Sequence, residues 1–146
     1  MSKLVAALFV YGTLCFPEIV EKLTGKSFQS RQAVLKGFHR RRVKNADYPA
    51  IVKNDNSEVK GILFHDVDDL SFQIINFYEG DDYRIEELEV NVKDGFAKAN
   101  VFIWNSDCNE LENTDWNPND FLKNNFKNYT EKVIPETILE FNKENN

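Results

Sequence analysis

Cysteine and histidine are scarce in this sequence of 146 residues, which contains only two of each. Cys15 and Cys108 are too few for a disulfide framework, and neither has the spacing of a zinc-binding motif. His39 and His65 stand far apart, with no evident nucleophile beside either, so no Ser–His or Cys–His pair is indicated. The sequence therefore argues against a disulfide scaffold, a structural metal site and a nucleophilic triad.

Basic residues are also in the minority, because 18 Lys and Arg face 24 Asp and Glu and leave a net charge of −6. Binding to nucleic acid or to an anionic membrane requires clustered cations, so the acidic balance disfavours both as partners. The only basic cluster, His39–Arg42, lies in an extended segment where side chains alternate between two faces. It is interpreted as a solvated strand or a partner contact.

Long apolar runs are absent as well. The first one, Lys3 to Val10, is interrupted at Tyr11-Gly12 after about eight residues, well short of a membrane span, and no small-residue cleavage site follows. We therefore expect a cytoplasmic protein in which this run forms a buried strand. With 42% hydrophobic residues and 12 phenylalanines, the chain is predicted to fold as one domain over residues 1–146.

The first half of the chain alternates extended and turn segments. A continuous apolar strand is predicted from Leu4 to Tyr11, followed by a tight turn and a short helix that begins at Pro17-Glu18 and ends at Gly25. Further strands are predicted over 33–44, 48–52 and 59–65, with a polar turn at 54–57 and one hairpin among them.

The second half has clearer helix and hairpin signals. Asp68 or Asp69 can cap a helix that ends at Gly80, and Asp94-Gly95 predicts a hairpin between strands 84–92 and 97–104. A final helical region is predicted over about 117–143, with a break or kink at Pro135. The fold class is therefore α+β, with a mixed sheet, strongly twisted or closed into a β-barrel, and flanking helices.

Two segments combine tight backbone geometry with polar residues. In the turn formed by Tyr11, Gly12, Thr13, Leu14, Cys15 and Phe16, exposed amide groups can converge on a carboxylate or carbonyl oxygen, although an ordinary strand-to-helix turn has the same pattern. Glu79 follows two aromatic residues at a helix end, and burial against them would raise its pKa toward the range of a general acid/base. A solvated helix-end acid, as expected for Asp81 and Asp82, is the alternative.

Taken together, the motifs resemble the γ-glutamyl cyclotransferase-like superfamily, in the branch of the plant avirulence-induced proteins. The resemblance covers roughly the first 105 residues and rests on ordered motifs rather than one short match. These motifs are Leu8-Phe9-Val10-Tyr11-Gly12-Thr13-Leu14, Leu35-Lys36-Gly37-Phe38, Tyr48-Pro49-Ala50-Ile51-Val52, Val59-Lys60-Gly61, Phe77-Tyr78-Glu79-Gly80-Asp81-Asp82-Tyr83-Arg84 and Ala99-Asn100-Val101-Phe102-Ile103-Trp104.

The resemblance implies a mixed β-barrel that uses no cofactor and no metal. It also implies an acyltransferase that cyclises a γ-glutamyl small molecule to 5-oxoproline and releases an amine. Tyr11 to Phe16 would hold the glutamyl group through backbone donors, and Glu79 would move the proton. Tyr83 is a candidate for a hydrogen bond near Glu79, and Tyr48 and Pro49 for the pocket wall. Asn76 departs from the family pattern, in which many relatives carry Asp there.

Two other classes of function remain open on the sequence. The same pocket in a non-catalytic module would bind a small carboxylate metabolite, although a negative Glu79 would weaken such binding. In a structural or interaction domain, Phe16 and neighbouring aromatic residues would fill the pocket. The sequence indicates neither an oligomeric state nor the amine part of a substrate.

Overall fold

The computed structural model describes residues 5–145, so the predicted first residue of the first strand, Leu4, lies outside the described residues. The strands are β1 Val5–Val10, β2 Ser30–Arg42, β3 Pro49–Asp68, β4 Tyr83–Val92 and β5 Gly95–Trp104. The α-helices are α1 Pro17–Thr24, α2 Asp69–Glu79, α3 Pro118–Asn124, α4 Phe126–Asn128 and α5 Ile134–Glu144. Two 3₁₀ helices, Thr13–Cys15 and Cys108–Glu110, and a π-helix, Tyr129–Val133, complete the described chain.

The five strands close on themselves in the order β1-β3-β2-β4-β5. All neighbours are antiparallel except β1 and β5, which pair in parallel through Leu8 with Asn100 and Phe9 with Val101. The contact between β2 and β4 is narrow, with one registered pair, Val34 with Asn91. The prediction of an α+β fold with a mixed, closed sheet and flanking helices is confirmed.

Strand β1 is covered on both faces, as its unbroken apolar run predicts. Phe9 and Tyr11 belong to the core inside the ring of strands. Leu8 and Val10 point the other way, into a second core that the helices form against the outside of the sheet. Because Tyr11 is the last inward-facing residue before the chain turns, the loop that follows begins at the end of the ring.

The polar segment 54–57 does not join two strands that pair with each other. Residues on both sides of it pair with β2, since Phe38 lies opposite Lys53 and Lys36 lies opposite Glu58. The segment is therefore an excursion within the 20-residue strand β3, facing Gly37 at a positive φ of 85°. The hairpin in this part of the chain joins β2 to β3, so the polar residues marked an irregularity rather than the hairpin turn.

The helix and hairpin of the second half form where the sequence predicts them. The Asp68 side chain accepts a hydrogen bond from the Ser71 amide and caps α2, which ends at Gly80 with a φ of 87°. Strands β4 and β5 pair continuously from Tyr83–Trp104 to Val92–Gly95. Helix α2 therefore carries Glu79 as its last residue, and the glycine turn leads directly into Tyr83 at the start of β4.

The helices after β5 run continuously across Pro135. Asn117 caps α3 through its side chain, which accepts from the amides of Asn119 and Asp120. Pro135 lies in the first turn of α5, and the π-helix Tyr129–Val133 precedes it directly. At the predicted break or kink the structure thus has a wider helical turn, the π-helix. Tyr129, its first residue, packs in the core against Phe121.

Candidate functional site

The loop after β1 folds into a single 3₁₀ turn, in which some backbone amides donate internal hydrogen bonds and others do not. The Cys15 amide donates to the Gly12 carbonyl at 3.0 Å, and the Phe16 amide donates to the Thr13 carbonyl at 3.2 Å. The amides of Gly12, Thr13 and Leu14 precede the first such bond, where a helical turn has no internal acceptor to offer. These three residues line a cavity, which makes their amides the candidate backbone donors for a ligand.

This inner cavity has a volume of about 20 Å³ and is bounded by the loop, strand ends and Glu79. A cavity of that size has room for one water-sized group, such as a carbonyl or carboxylate oxygen. Its lining residues are Phe9, Val10, Tyr11, Gly12, Thr13, Leu14, Tyr48, Pro49, Glu79 and Phe102. The structure therefore brings Glu79 together with Tyr11, Gly12, Thr13 and Leu14.

Glu79 is placed by the end of α2, and its environment disfavours the charged form. The residue as a whole keeps partial exposure, but burial around its carboxyl raises the pKa to about 7. Asp81 and Asp82, by contrast, are exposed beyond the Gly80 turn. A carboxyl with a pKa near neutrality can both accept and return a proton, which is the property of a general acid/base.

An outer cavity of about 160 Å³ adjoins the inner one, and Thr13, Tyr48 and Glu79 line both. The remaining lining residues of the outer cavity are Tyr78, Tyr83, Tyr129, Val133 and Thr137. All five tyrosines of the sequence therefore border one cavity or the other. No Lys, Arg or His is among the described lining residues, so Glu79 is the sole ionisable carboxyl or base facing this space.

Three tyrosine hydroxyls hold the walls of the two cavities. Tyr11 donates to the Phe102 carbonyl at 2.6 Å, Tyr83 donates to the Pro49 carbonyl at 2.8 Å, and Tyr78 lies 2.7 Å from Thr13 Oγ1. Burial raises the pKa of all three phenols above the ordinary value, so they stay neutral near pH 7. Tyr83 thus braces the wall at Pro49 and borders the outer cavity.

Cys15 and Phe16, which the sequence placed among the substrate-binding residues, lie outside both cavities. Cys15 Sγ approaches the Val10 carbonyl at 3.6 Å, and burial raises the pKa of the thiol to about 11, which disfavours the reactive thiolate. The Phe16 ring stacks on Phe121 with centroids 5.5 Å apart. Their amides also donate hydrogen bonds within the turn. The two residues therefore support the loop without facing either cavity.

The outer wall contains residues that sequence reasoning did not single out. Tyr129, Val133 and Thr137 come from the C-terminal helices, and Tyr78 comes from α2. Tyr129 falls within the predicted final helical region of about 117–143, and no motif connects it to Glu79. Asn76, the departure from the family pattern, is exposed and lines neither cavity.

Two further features of the described residues concern ions and membranes. Within residues 5–145, no three His, Cys, Asp or Glu side chains are grouped so that they could hold a metal ion. No helix in the same part of the chain combines the length and apolar character needed to cross a membrane.

Comparison with known proteins defines the class to which this fold and site belong. Residues 8–118 match the family model described as gamma-glutamyl cyclotransferase, AIG2-like. AIG2-like protein C of Arabidopsis thaliana is 31% identical over 139 residues, which cover 90% of this chain and 80% of that protein. The chain belongs to the gamma-glutamyl cyclotransferase, AIG2-like family.

Other relatives extend the comparison. Protein AIG2 C of Arabidopsis thaliana is 31% identical over 99 residues, which are 66% of this chain but only 60% of that protein's length. A solution structure of an Arabidopsis thaliana protein is 26% identical with a TM-score of 0.68, covering 98% of this chain and 88% of that one. A solved structure of a gamma-glutamyl cyclotransferase has a TM-score of 0.63 at 15% identity, covering 89% of this chain and 86% of that one, and shows a shared fold.

Proposed function

We propose that this protein is a γ-glutamyl cyclotransferase, which converts a γ-glutamyl compound to 5-oxoproline and releases the amine part. The observation that carries the proposal is the position of Glu79, a carboxyl with a pKa of about 7, on the same cavity as the amides of Gly12, Thr13 and Leu14. Family membership supports the same class of reaction.

In the proposed reaction the substrate supplies its own nucleophile. The α-amine of the glutamyl group attacks the γ-carbonyl carbon, forming a new C–N bond and a five-membered ring. Glu79 accepts a proton from the attacking amine and returns it to the leaving nitrogen as the original C–N bond breaks. The products are 5-oxoproline and a free amine, so the reaction balances without water, cofactor or external oxidant.

The loop amides would supply electrostatic stabilisation in this scheme. An inner cavity with room for one oxygen suits either the developing oxyanion or one carboxylate oxygen of the glutamyl group. Fixed N–H donors at such a position stabilise charge without reorganising during the reaction. The enclosing tyrosines would hold the flexible glutamyl chain folded, so that the amine and the carbonyl carbon stay close.

A second candidate is a binding module that holds a small carboxylate without turning it over. The observation that favours it is the same pKa of about 7, because a protonated Glu79 donates a hydrogen bond to a carboxylate instead of repelling it. The interaction-domain alternative has less support, because Phe16 packs on Phe121 and does not fill the cavity.

The deciding experiment measures 5-oxoproline released from a panel of γ-glutamyl amino acids, peptides and amines, with the wild type and Glu79→Gln. The cyclotransferase proposal requires turnover by the wild type and its loss in the variant, with the fold intact by circular dichroism. The exposed neighbour Asp82→Asn is the matched control and should keep activity. Binding of 5-oxoproline without turnover of any compound in the panel would favour the binding module.

A further inference from the structure

The basic segment of β2, Arg40–Arg42, binds another segment of the same chain. Arg41 donates from Nε to the Glu112 carbonyl at 2.7 Å and from Nη2 to the Leu111 carbonyl at 3.0 Å. The Arg42 amide donates to the Thr114 carbonyl at 3.0 Å. Arginines 40–42 therefore bind segment 110–116 of the same chain, which replaces the interpretation of a solvated strand or partner contact.

Arg40 differs from its neighbours because it also reaches the candidate site. Its Nη1 donates to the Tyr11 carbonyl at 2.8 Å, while Nε and Nη2 donate to the two carboxylate oxygens of Asp115 at 2.7 and 3.2 Å. The guanidinium carbon lies 5.4 Å from the centre of the Trp116 ring. With 20% of its side chain exposed, the guanidinium is held on three sides in one orientation.

The bond to Tyr11 has a geometric consequence for the next residue. The peptide joining Tyr11 to Gly12 is trans, so the Tyr11 carbonyl and the Gly12 N–H point in opposite directions. The carbonyl faces Arg40, and Gly12 lines the inner cavity. Fixing the carbonyl on one side therefore fixes the direction of the amide on the other.

The same cluster also holds a second part of the cavity wall. Asp115 Oδ1 accepts from the Trp116 amide at 2.7 Å, and Trp116 Nε1 donates to the Asp47 carbonyl at 2.8 Å. Asp47 directly precedes Tyr48 and Pro49, which border the inner cavity, and the Pro49 ring packs against Gly12 of the loop. The arrangement thus connects the loop and the Tyr48–Pro49 segment to one guanidinium.

We propose that Arg40 is a positioning residue: its guanidinium, locked by Asp115 and Trp116, holds the Tyr11 carbonyl so that the Gly12 amide points into the inner cavity. The effect on turnover rests on the proposed function, whereas the orientation of the amide does not. Arg40 itself lines neither cavity, so it acts through the peptide and not by contact with a substrate.

The test compares Arg40→Met with Arg40→Lys, which keeps the charge but has no planar fork, and with Arg41→Met as the matched control. Arg41 anchors the same segment without touching Tyr11. The readouts are the ¹H–¹⁵N shift of the Gly12 amide, the affinity for 5-oxoproline as a probe, and kcat and KM. Asp115→Asn, which retains Arg40 but removes the carboxylate that locks its guanidinium, serves if Arg40→Met does not fold, and should move the Gly12 resonance as well.

We expect Arg40→Met to move the Gly12 amide resonance, to weaken 5-oxoproline binding and to lower kcat/KM by about 10- to 100-fold. Arg40→Lys should fall between wild type and Met, and Arg41→Met should leave all three readouts at the wild-type value. The pH midpoint of activity should stay in place, because burial alone raises the Glu79 pKa. An unmoved Gly12 resonance in Arg40→Met, or an equal effect of Arg41→Met, would overturn the inference.

The two proposals fail separately. If no γ-glutamyl compound is turned over but Arg40→Met shifts the Gly12 amide and weakens probe binding, the cyclotransferase proposal fails and the positioning role stands. If turnover is established and Arg40→Met matches the wild type in both shift and rate, only the positioning role fails.

Discussion

The hydroxyl of Tyr78 lies 2.7 Å from Oγ1 of Thr13, and this contact joins the two parts of the candidate site. Tyr78 directly precedes Glu79 on α2, and Thr13 begins the 3₁₀ turn that bears the free amides. The hydrogen bond therefore fixes the distance between the Glu79 segment and the loop after β1.

Removing this bond should lower both stability and activity. Tyr78→Phe leaves the buried Thr13 hydroxyl without its partner, at a cost of about 1–3 kcal/mol in the free energy of unfolding, and it frees α2 to shift relative to the loop. Urea unfolding and 5-oxoproline release measure the two effects. Thr13→Ser keeps a hydroxyl and is the matched control. In Tyr78→Phe/Thr13→Val the losses should be less than additive, and full additivity would mean that the contact carries no coupling.

Activity should depend on the protonation of Glu79. In the proposed reaction Glu79 is the base and must be ionised in the free protein, so kcat/KM should rise with pH through a midpoint near 7, the value to which burial raises its pKa. A pH–rate profile of the wild type tests this directly. A midpoint near the ordinary carboxyl value of 4.5 would contradict the raised pKa of Glu79, and the absence of any carboxyl-dependent midpoint would contradict its role as the base.

The same pKa predicts how stability changes with pH. The folded carboxyl titrates near 7 and the unfolded one near 4.5, so the folded state binds more protons between these values and the stability contributed by Glu79 is lost as pH rises through that window. The side chain that Glu79→Gln introduces cannot ionise. Above pH 7 the free energy of unfolding of this variant should therefore be about 1–3 kcal/mol higher than that of the wild type, and the difference should vanish below pH 4.5. Urea unfolding from pH 4 to 8 measures it; a difference that is constant with pH would contradict the buried carboxyl.

Gly12 should not tolerate a side chain. A Cβ at this position would lie 2.9 Å from both Cδ and Cγ of Pro49, whose ring is rigid. Gly12→Ala should therefore displace the loop, lower the free energy of unfolding by about 1–3 kcal/mol and abolish turnover. Pro49→Ala in the same chain removes the clash and should restore part of both. If the second substitution restores neither stability nor turnover, the losses in Gly12→Ala do not arise from the contact with Pro49.

The outer cavity should favour a cationic amine part over an anionic one. Its described lining offers aromatic faces and Glu79 but no Lys, Arg or His, so a carboxylate on the amine part finds no counter-charge there. Among γ-glutamyl compounds of equal length, one with a terminal ammonium should have a higher kcat/KM than one with a terminal carboxylate. Tyr129→Leu should reduce this preference while Leu122→Ala, at an exposed helix position, should leave it intact. Equal rates for both compounds in the wild type would contradict the prediction.

The sequence was sufficient for elements whose signals are local. The Asp94-Gly95 turn specifies its hairpin, and Asp68 and Gly80 mark the ends of α2, because cap and turn residues act through neighbouring backbone groups. The loop at Gly12 and the carboxyl of Glu79 were found together through the ordered motifs. Their shared cavity follows from the closed sheet, which brings the end of β1 next to the end of α2.

Other features depended on contacts between distant parts of the chain. Arg40 looked like one of several solvated basic residues, since nothing local shows that its partners are Tyr11 and Asp115. Tyr129 joins the outer wall only because the C-terminal helices pack back across the sheet. Segment 54–57 has turn composition, yet the sequence cannot show that the residues on both sides of it pair with β2.

The parallel pairing of β1 with β5 has a consequence for folding kinetics. The hairpin β4–β5 can form from neighbouring residues, but Leu8 must find Asn100 across most of the chain. Closing a loop between residues so distant in sequence costs conformational entropy before the contact stabilises the chain. Such contacts are therefore expected to form late. Since Gly12 and Thr13 follow β1 directly and Phe102 lies on β5, the cavity is complete only once these two distant strands are in place.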